Sequence, residues 1–322
     1  MRLHTFLILF ALAIPLCLNG QHKRVVKADR AFEMRQYTDA IDYYRKAMKK
    51  VKKDKKETAR LVFRIGVCYK MTNNSKKAES FFRRAMRGNY AEPLAALYYA
   101  DALKQNGKWE EAKTQYLKYA EQYPDDPRGK LGAESIALTL EMLDNPNRFV
   151  VENMKKINSK EEDYAPAWGD SRYSSLVFSS SRDGVIGEEL DPWTGLNFTD
   201  LFIVYQDRKG DWSTPGLFDK GPVNTLYNEG AASVVSNGSV VYFTRCRSVE
   251  GSDLGCRIYR ATRNGQEWSE PSEVKLVNDS TVSMGHPTVS NDELEIYFSS
   301  DMPGGLGGKD IWVARRSNTG MD

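Results

Sequence analysis

Two hydrophobic periodicities divide the chain. Between residues 24 and 143 apolar positions recur every three or four residues, the spacing that gives a helix one buried stripe. From residue 149 onward the pattern becomes short alternating apolar runs separated by Gly, Asn, Asp and Pro, which predicts strands joined by turns. The amino terminus differs from both. Arg2 precedes an apolar run over 6–18, broken by Pro15. About 13 residues is short of the roughly 20 that a membrane span needs.

The helical half repeats itself. Three windows begin at Tyr37, Ser75 and Trp109 and align on Ala40, Ala78 and Ala112, spaced 38 and 34 residues apart. Four residues beyond each alanine stands an aromatic, Tyr44, Phe82 or Tyr116, on the same helical face. The small residue lets a paired helix approach, and the ring fills the groove beside it. Gly66 and Tyr69 mark the preceding helix of the second unit, while Pro124 stops the third. This pattern resembles the tetratricopeptide repeat, whose period is about 34. The first unit departs from it, with Ala28 and Ala31 where Gly and Tyr are usual. Residues 129–143 predict a further amphipathic helix that caps the solenoid's end. The resemblance implies a surface for peptides or protein partners, and packing roles for the three aromatics.

The second half repeats at a longer interval. Its first block contains Tyr164-Ala165-Pro166, the run 176–180, the run 200–203 and Trp212-Ser213-Thr214-Pro215. The second contains Gly230-Ala231-Ala232, the run 240–244, the run 257–260 and Trp268-Ser269-Glu270-Pro271. The third contains Gly285-His286-Pro287, the run 295–300 and the run 310–313. Phe178, Phe243 and Phe298 correspond, 65 and 55 residues apart. A repeat of this length with four strand signals reads as one propeller blade. Trp212 and Trp268 then anchor outer strands.

Two strings sharpen this reading. From Phe298 through Gly304, Gly305, Gly307, Gly308 and Asp310 to Trp312 the chain resembles the FxSDRPGGxGGKDIW signature of TolB-like, WD-type (PD40) propellers, with Met302 in place of Arg. Trp193, Phe198 and Asp200 fall in a stretch similar to WTGxxFxDLY of the same group. Together with the helical repeats, these motifs resemble the tetratricopeptide–propeller envelope proteins of Bacteroidota. Longer members carry an OmpA-like peptidoglycan-binding domain, and the group includes the PorE-type component of type IX secretion and gliding. The resemblance implies a multidomain α + β chain: a signal peptide over 1–20, a tetratricopeptide α-solenoid with its capping helix over 21–147, and all-β propeller repeats over 148–322. Three blades are visible, fewer than related propellers use to close. No OmpA-like segment follows Asp322 in this sequence, so any cell-wall contact through such a domain is not carried over, and a fragment or a divergent short member are both open.

Charge supports the same division. Residues 21–148 hold 28 Lys/Arg against 17 Asp/Glu, a net +11, and residues 149–322 hold 17 against 26, a net −9. The basic run from Lys49 to Lys56 reads as a solvated helix end or a contact for an acidic partner. Export argues against a nucleic-acid role. The 6–18 run fits the h-region of a secretory signal, with cleavage before Gln21, while Cys17 offers the alternative of a lipidated amino terminus. In an oxidising compartment Cys246 and Cys256 can close a hairpin by a disulfide, or they remain thiols; Cys68 reads as a buried small hydrophobe.

The search for chemistry is mostly negative. Only His4, His22 and His286 are present, too few for a multi-His metal site and a poor basis for a His-centred triad. The glycines at 304–308 miss the phosphate-loop pattern, since Pro303 and Asp310 occupy two of its required positions. Gly169-Asp170-Ser171-Arg172-Tyr173 lacks the last Gly of a nucleophile elbow. Asp183, Glu188, Glu189 and Asp191 cluster without calcium-loop order. No cofactor, metal or catalytic residue is assigned. The expectation is a non-enzymatic periplasmic, outer-membrane-associated scaffold that binds envelope proteins. The alternative is a glycan- or peptide-binding propeller that uses exposed Trp193 and Phe198.

Overall fold

The computed structural model describes residues 23–88, 90–146, 148–249 and 252–317. The signal segment over 1–20, Cys17, His4 and His22 lie outside the described residues. Helices fill the first half: α1 (Lys23–Glu33), α2 (Tyr37–Val51), α3 (Lys55–Met71), α4 (Ser75–Arg87), α5 (Pro93–Gln105), α6 (Trp109–Gln122) and α7 (Pro127–Asp144). None of the described helices is long and apolar enough to cross a membrane. Local chemistry sets the ends. The Asp54 carboxylate accepts from Glu57 N at the start of α3, and Asn74 Oδ1 accepts from Lys77 N at the start of α4, each satisfying an amide the helix cannot. Pro93 opens α5, and α6 stops two residues before Pro124.

The repeated small and aromatic positions form the helical core. Ala40, Ala112, Tyr44 and Phe82 are fully buried, and Ala78, Tyr69 and Tyr116 nearly so. Gly66 shows why small residues recur: a Cβ there would sit 2.8 Å from the Phe82 ring. In α7 Ala133 and Ile136 are buried, but Leu131, Leu138, Met142 and Leu143 are exposed.

Three antiparallel sheets make up the second half. The first orders β1 (Asp163–Trp168), β2 (Ser175–Ser180), β3 (Asp200–Tyr205) and β4 (Gly216–Leu217). The second orders β5 (Asn228–Val235), β6 (Val240–Val249), β7 (Ser252–Asn264) and β8 (Glu267–Trp268), with β9 (Ser272–Glu273) also paired to β7. The third has β10 (Met284–Val289), β11 (Glu295–Ser300) and β12 (Asp310–Arg315). In each sheet the first strand carries a register shift at the same place, at Tyr164/Ala167, Gly230/Ser233 and Gly285/Thr288. The described strands form open sheets rather than a closed ring, and β5 adjoins both β1 and β10.

Period-2 alternation splits each sheet's apolar residues between two faces. Val177 and Leu201 of the first sheet share a core with Val241, Phe243, Tyr259 and Ala261 of the second. Val240, Tyr242 and Ile258 leave the second sheet's other face to meet Met284, Ile296 and Phe298. Phe178, Phe202 and Val204 lie on the far side of the first sheet, covered by Ile157. The described chain divides into two compact units, one of residues up to Glu33 and 39–130, the other of 34–38 and the residues from Leu131 onward. The division falls within α7, whereas the sequence pattern places it at 147/148.

Gly66→Ala is expected to lower helical-unit stability by about 1–3 kcal/mol through overpacking. Adding Phe82→Leu should recover part of that loss. Thermal melts of both variants check this; an unchanged midpoint for Gly66→Ala would mean that the ring moves aside freely.

Candidate functional site

In the helical unit, polar pairs tie successive helices together. Tyr44 Oη donates to Asp29 Oδ1 at 2.7 Å, and Tyr116 Oη donates to Asp101 Oδ1 at 2.7 Å. Burial and these carboxylates push both phenols far above the usual tyrosine range, so neither ionises near neutrality. The matching pair in the middle repeat is Val67 and Phe82, which loses the hydroxyl and the carboxylate together. That keeps a buried polar group from being stranded. Neighbouring first helices are bridged as well. Arg60 donates to both Asp29 oxygens at 3.0 and 2.9 Å, the Arg64 guanidinium lies 4.4 Å from the Phe32 ring centroid, and Lys70 Nζ reaches Asp101 at 3.0 Å. The basic run spans the end of α2 and the start of α3, and Lys49, Lys50, Lys52, Lys53, Lys55 and Lys56 are all exposed.

In the sheet unit, a hydroxyl on the second strand of each of the first two sheets latches the next sheet. Ala231 N donates to Ser179 Oγ at 3.0 Å, and His286 N donates to Thr244 Oγ1 at 2.8 Å. Both donors lie in the register shift of a first strand. Each has a left-handed backbone, φ 48° at Ala231 and φ 55° at His286, as does Ala165 at φ 50°. Ser299 is the third member of the hydroxyl series and receives no such bond among the described residues. Residues that face the next sheet follow the same progression. Leu201 and Ile258 are fully buried, whereas Ile311 is 84% exposed; Val177 and Tyr242 are buried, whereas Tyr297 is 41% exposed. Burying an isoleucine contributes about 1.5–3 kcal/mol, which Ile311 forgoes.

The hydroxyl series was visible in the sequence as Phe178-Ser179, Phe243-Thr244 and Phe298-Ser299, but its role depends on strand register. The other motif residues take structural places. Trp268 is buried beside Phe218, with ring centroids 5.0 Å apart, and Trp212 packs at the edge of the first sheet's far core. Trp312 Nε1 donates to Ser300 O at 3.3 Å. The Asp310 carboxylate accepts from Gly307 N at 3.0 Å, and a Cβ at Gly305 would collide with it; Gly304 has φ 104°, while Gly308 stands in open space. The 304–308 segment is thus a turn folded over one aspartate. Cys246 and Cys256 pair across β6 and β7 and are disulfide-bonded, while Cys68 is buried and its thiol is pushed up to about 12 by burial.

The exposed-aromatic expectation needs correction. Phe198 is buried at 7% exposure, and Trp193 is half-buried with its amide bonded to Asp191 Oδ1. The large aromatics exposed in this unit include Trp168 and Tyr173. The acidic loop does not converge. Asp183, Glu188 and Glu189 are exposed while Asp191 accepts from Trp193 N and Asn228 Nδ2, and no group of three or more metal-binding side chains occurs among the described residues.

A buried carboxylate, Glu229, and a half-buried one, Asp163, pair with arginine at the first-strand starts. Glu229 accepts from Arg245 Nε at 2.7 Å, and Asp163 pairs with Arg182. Asp200 is different: it is 1% exposed, and its carboxylate accepts from Ile186 N at 2.7 Å. Burial pushes it up to about 6, against that amide's opposite pull.

Tetratricopeptide repeat family models match residues 25–91 and 94–126. The helical unit carries tetratricopeptide repeats. Among solved structures, the chain is similar to the first tetratricopeptide domain of Spaghetti (RPAP3) bound to the HSP90 peptide SRMEEVD, at 24% identity over 37% of this chain and 91% of that one, TM-score 0.33. It is similar to the first such domain of human RPAP3, at 24% identity over 38% and 94%, TM-score 0.33. It is also similar to the Sgt2 domain of Aspergillus fumigatus, at 17% identity over 41% and 86%, TM-score 0.34. No curated protein matches the chain.

The upward shift of Asp200 makes its contribution to stability depend on pH with a definite sign. Between its ordinary value of 3.8 and about 6 the unfolded chain gives up this proton while the folded chain keeps it, so its contribution to stability falls as pH rises. Asp200→Asn retains an acceptor for Ile186 N and is expected to be more stable than the parent by about 1–3 kcal/mol at pH 8, with no advantage below pH 3.8. Denaturant melts of the two proteins across pH 3.5–8 check this; a pH-independent difference rules it out.

Proposed function

We propose that this protein is a non-enzymatic scaffold of the bacterial cell envelope, with a helical unit that holds a segment of a partner protein. The tetratricopeptide repeats over 25–126 carry the reading. Such repeats cannot bury their own faces alone, and stacking them leaves a continuous side-chain surface along the first helices of the pairs. The exposed lysines at the α2–α3 corner favour an acidic segment, since opposite charge speeds encounter and selects against basic partners. Export to the periplasm and association with the outer membrane, with or without a lipid on Cys17, complete the proposal. The Cys246–Cys256 disulfide supports an oxidising compartment.

We read the three sheets as part of a propeller. The repeated latch and the exposed Tyr297–Ile311 face support a further sheet of the same build beside the third. In the envelope proteins that the sequence resembles, such blades belong to secretion and gliding assemblies. A component of such an assembly is the role proposed here.

A photo-crosslinking residue placed at Val67 or Tyr98 in cells is expected to give discrete adducts with envelope proteins. Charge reversal of Lys49, Lys50, Lys52 and Lys53 should reduce them several-fold. Diffuse or absent adducts from correctly folded protein would overturn the reading. For the compartment, thiol alkylation of intact cells before lysis should leave Cys246 and Cys256 unmodified until reductant is added; direct labelling of both would place the chain in a reducing one.

A further inference from the structure

A cavity of about 550 Å³ opens where the first strands of the three sheets meet, lined by β1, β5 and β10 at their register shifts. Its wall includes the three left-handed residues Ala165, Ala231 and His286. Each costs about 1–2 kcal/mol of backbone strain in a non-glycine residue, and such strain tends to gather where a ligand is clamped. Trp168 and Tyr173 stand at the wall with ring centroids 5.2 Å apart at 72°, and they are 46% and 61% exposed. Trp168 also breaks the repeat. It pairs with Leu176 where the second sheet pairs Val234 with Val241 and the third pairs Val289 with Ile296. The fold therefore accepts valine at this position in two of its three sheets, and packing does not require the indole.

The remaining lining sets the ligand class. It holds no lysine or arginine and one carboxylate, Asp170, which already accepts from Ser174, Ser175 and Arg172 N. The polar groups left are neutral amides and hydroxyls around His286, including Asn291 and Thr288. A strongly charged ligand has no counter-charge here. An extended peptide would have to pair with an edge strand, but the register shifts break all three edges, and Pro166 and Pro287 remove amide donors from two of them. A flat exposed indole with a ring set edge-on to it, flanked by amides, suits a sugar: its C–H face stacks on the aromatic and its hydroxyls bond to the amides. The volume lies within the ordinary range for small-ligand sites.

We propose that this cavity binds a neutral saccharide of one or two rings, with Trp168 as the stacking platform and His286 and Asn291 as hydroxyl partners. The site is independent of the scaffold reading, since it uses no residue of the helical unit.

Calorimetric and saturation-transfer NMR titration of the mature chain with N,N′-diacetylchitobiose, maltose and cellobiose tests it, with an acidic peptide and inorganic phosphate as controls. Saturable binding of at least one sugar is expected. Trp168→Val, which installs the residue of the other two sheets, should leave the melting temperature in place and weaken binding about tenfold. Trp168→Phe should restore part of the affinity. The proposal is overturned if none of the sugars binds at 10 mM, if Trp168→Val binds as tightly as the parent, or if the peptide or phosphate binds in their place.

Discussion

The structure depends on close approach between units that cannot bury their own apolar faces. Among the helices this takes the form of small residues under rings, as where an added Cβ at Gly66 would lie 2.8 Å from the Phe82 ring. Among the sheets it takes the form of a hydroxyl that reaches across to a backbone amide: Ser179 to Ala231, and Thr244 to His286. A register shift in the receiving strand frees that amide from its own ladder and turns it toward the neighbour. The left-handed backbone is the cost of that turn. It occurs at both latched positions, Ala231 and His286, and also at the matching Ala165 of the first sheet.

Polar groups at these joints are handled as sets. Asp29 answers both Tyr44 and Arg60, and Asp101 answers both Tyr116 and Lys70. In the middle repeat Val67 and Phe82 remove both members at once, so no buried carboxylate is left without a partner. Glu229 and Asp163 follow the same logic in the first two sheets through Arg245 and Arg182, and the third sheet has Met284 in that register position. Asp200 departs from the rule, since its carboxylate meets a backbone amide, Ile186 N, rather than a cation.

Function follows from what the joints leave uncovered. The helical unit presents lysines and the bridged side chains of its first helices. The sheet unit presents the face of the third sheet, where Ile311 and Tyr297 stand exposed, and a separate cavity where three first strands come together. The acidic loop does not converge, and the glycine-rich turn is folded around Asp310 rather than open to a phosphate.

Periodicity alone determined the main divisions. A helical stripe with Ala40, Ala78 and Ala112 in phase can be satisfied in water only by stacking helix pairs, and alternating runs around Phe178, Phe243 and Phe298 only by packing sheets face to face. Those positions are legible because burial forces residue type. The latch, the exposed aromatic pair and the α7 surface were not legible in this way. Serine and threonine serve in many places on a chain, and only strand register decides that Ser179 and Thr244 meet an amide from the next sheet. Phe198 and Trp168 are both aromatic in sequence, yet the tertiary structure buries the first and leaves the second at a cavity wall. Exposure belongs to the packed whole, because it depends on which neighbours arrive, and a local pattern does not record them.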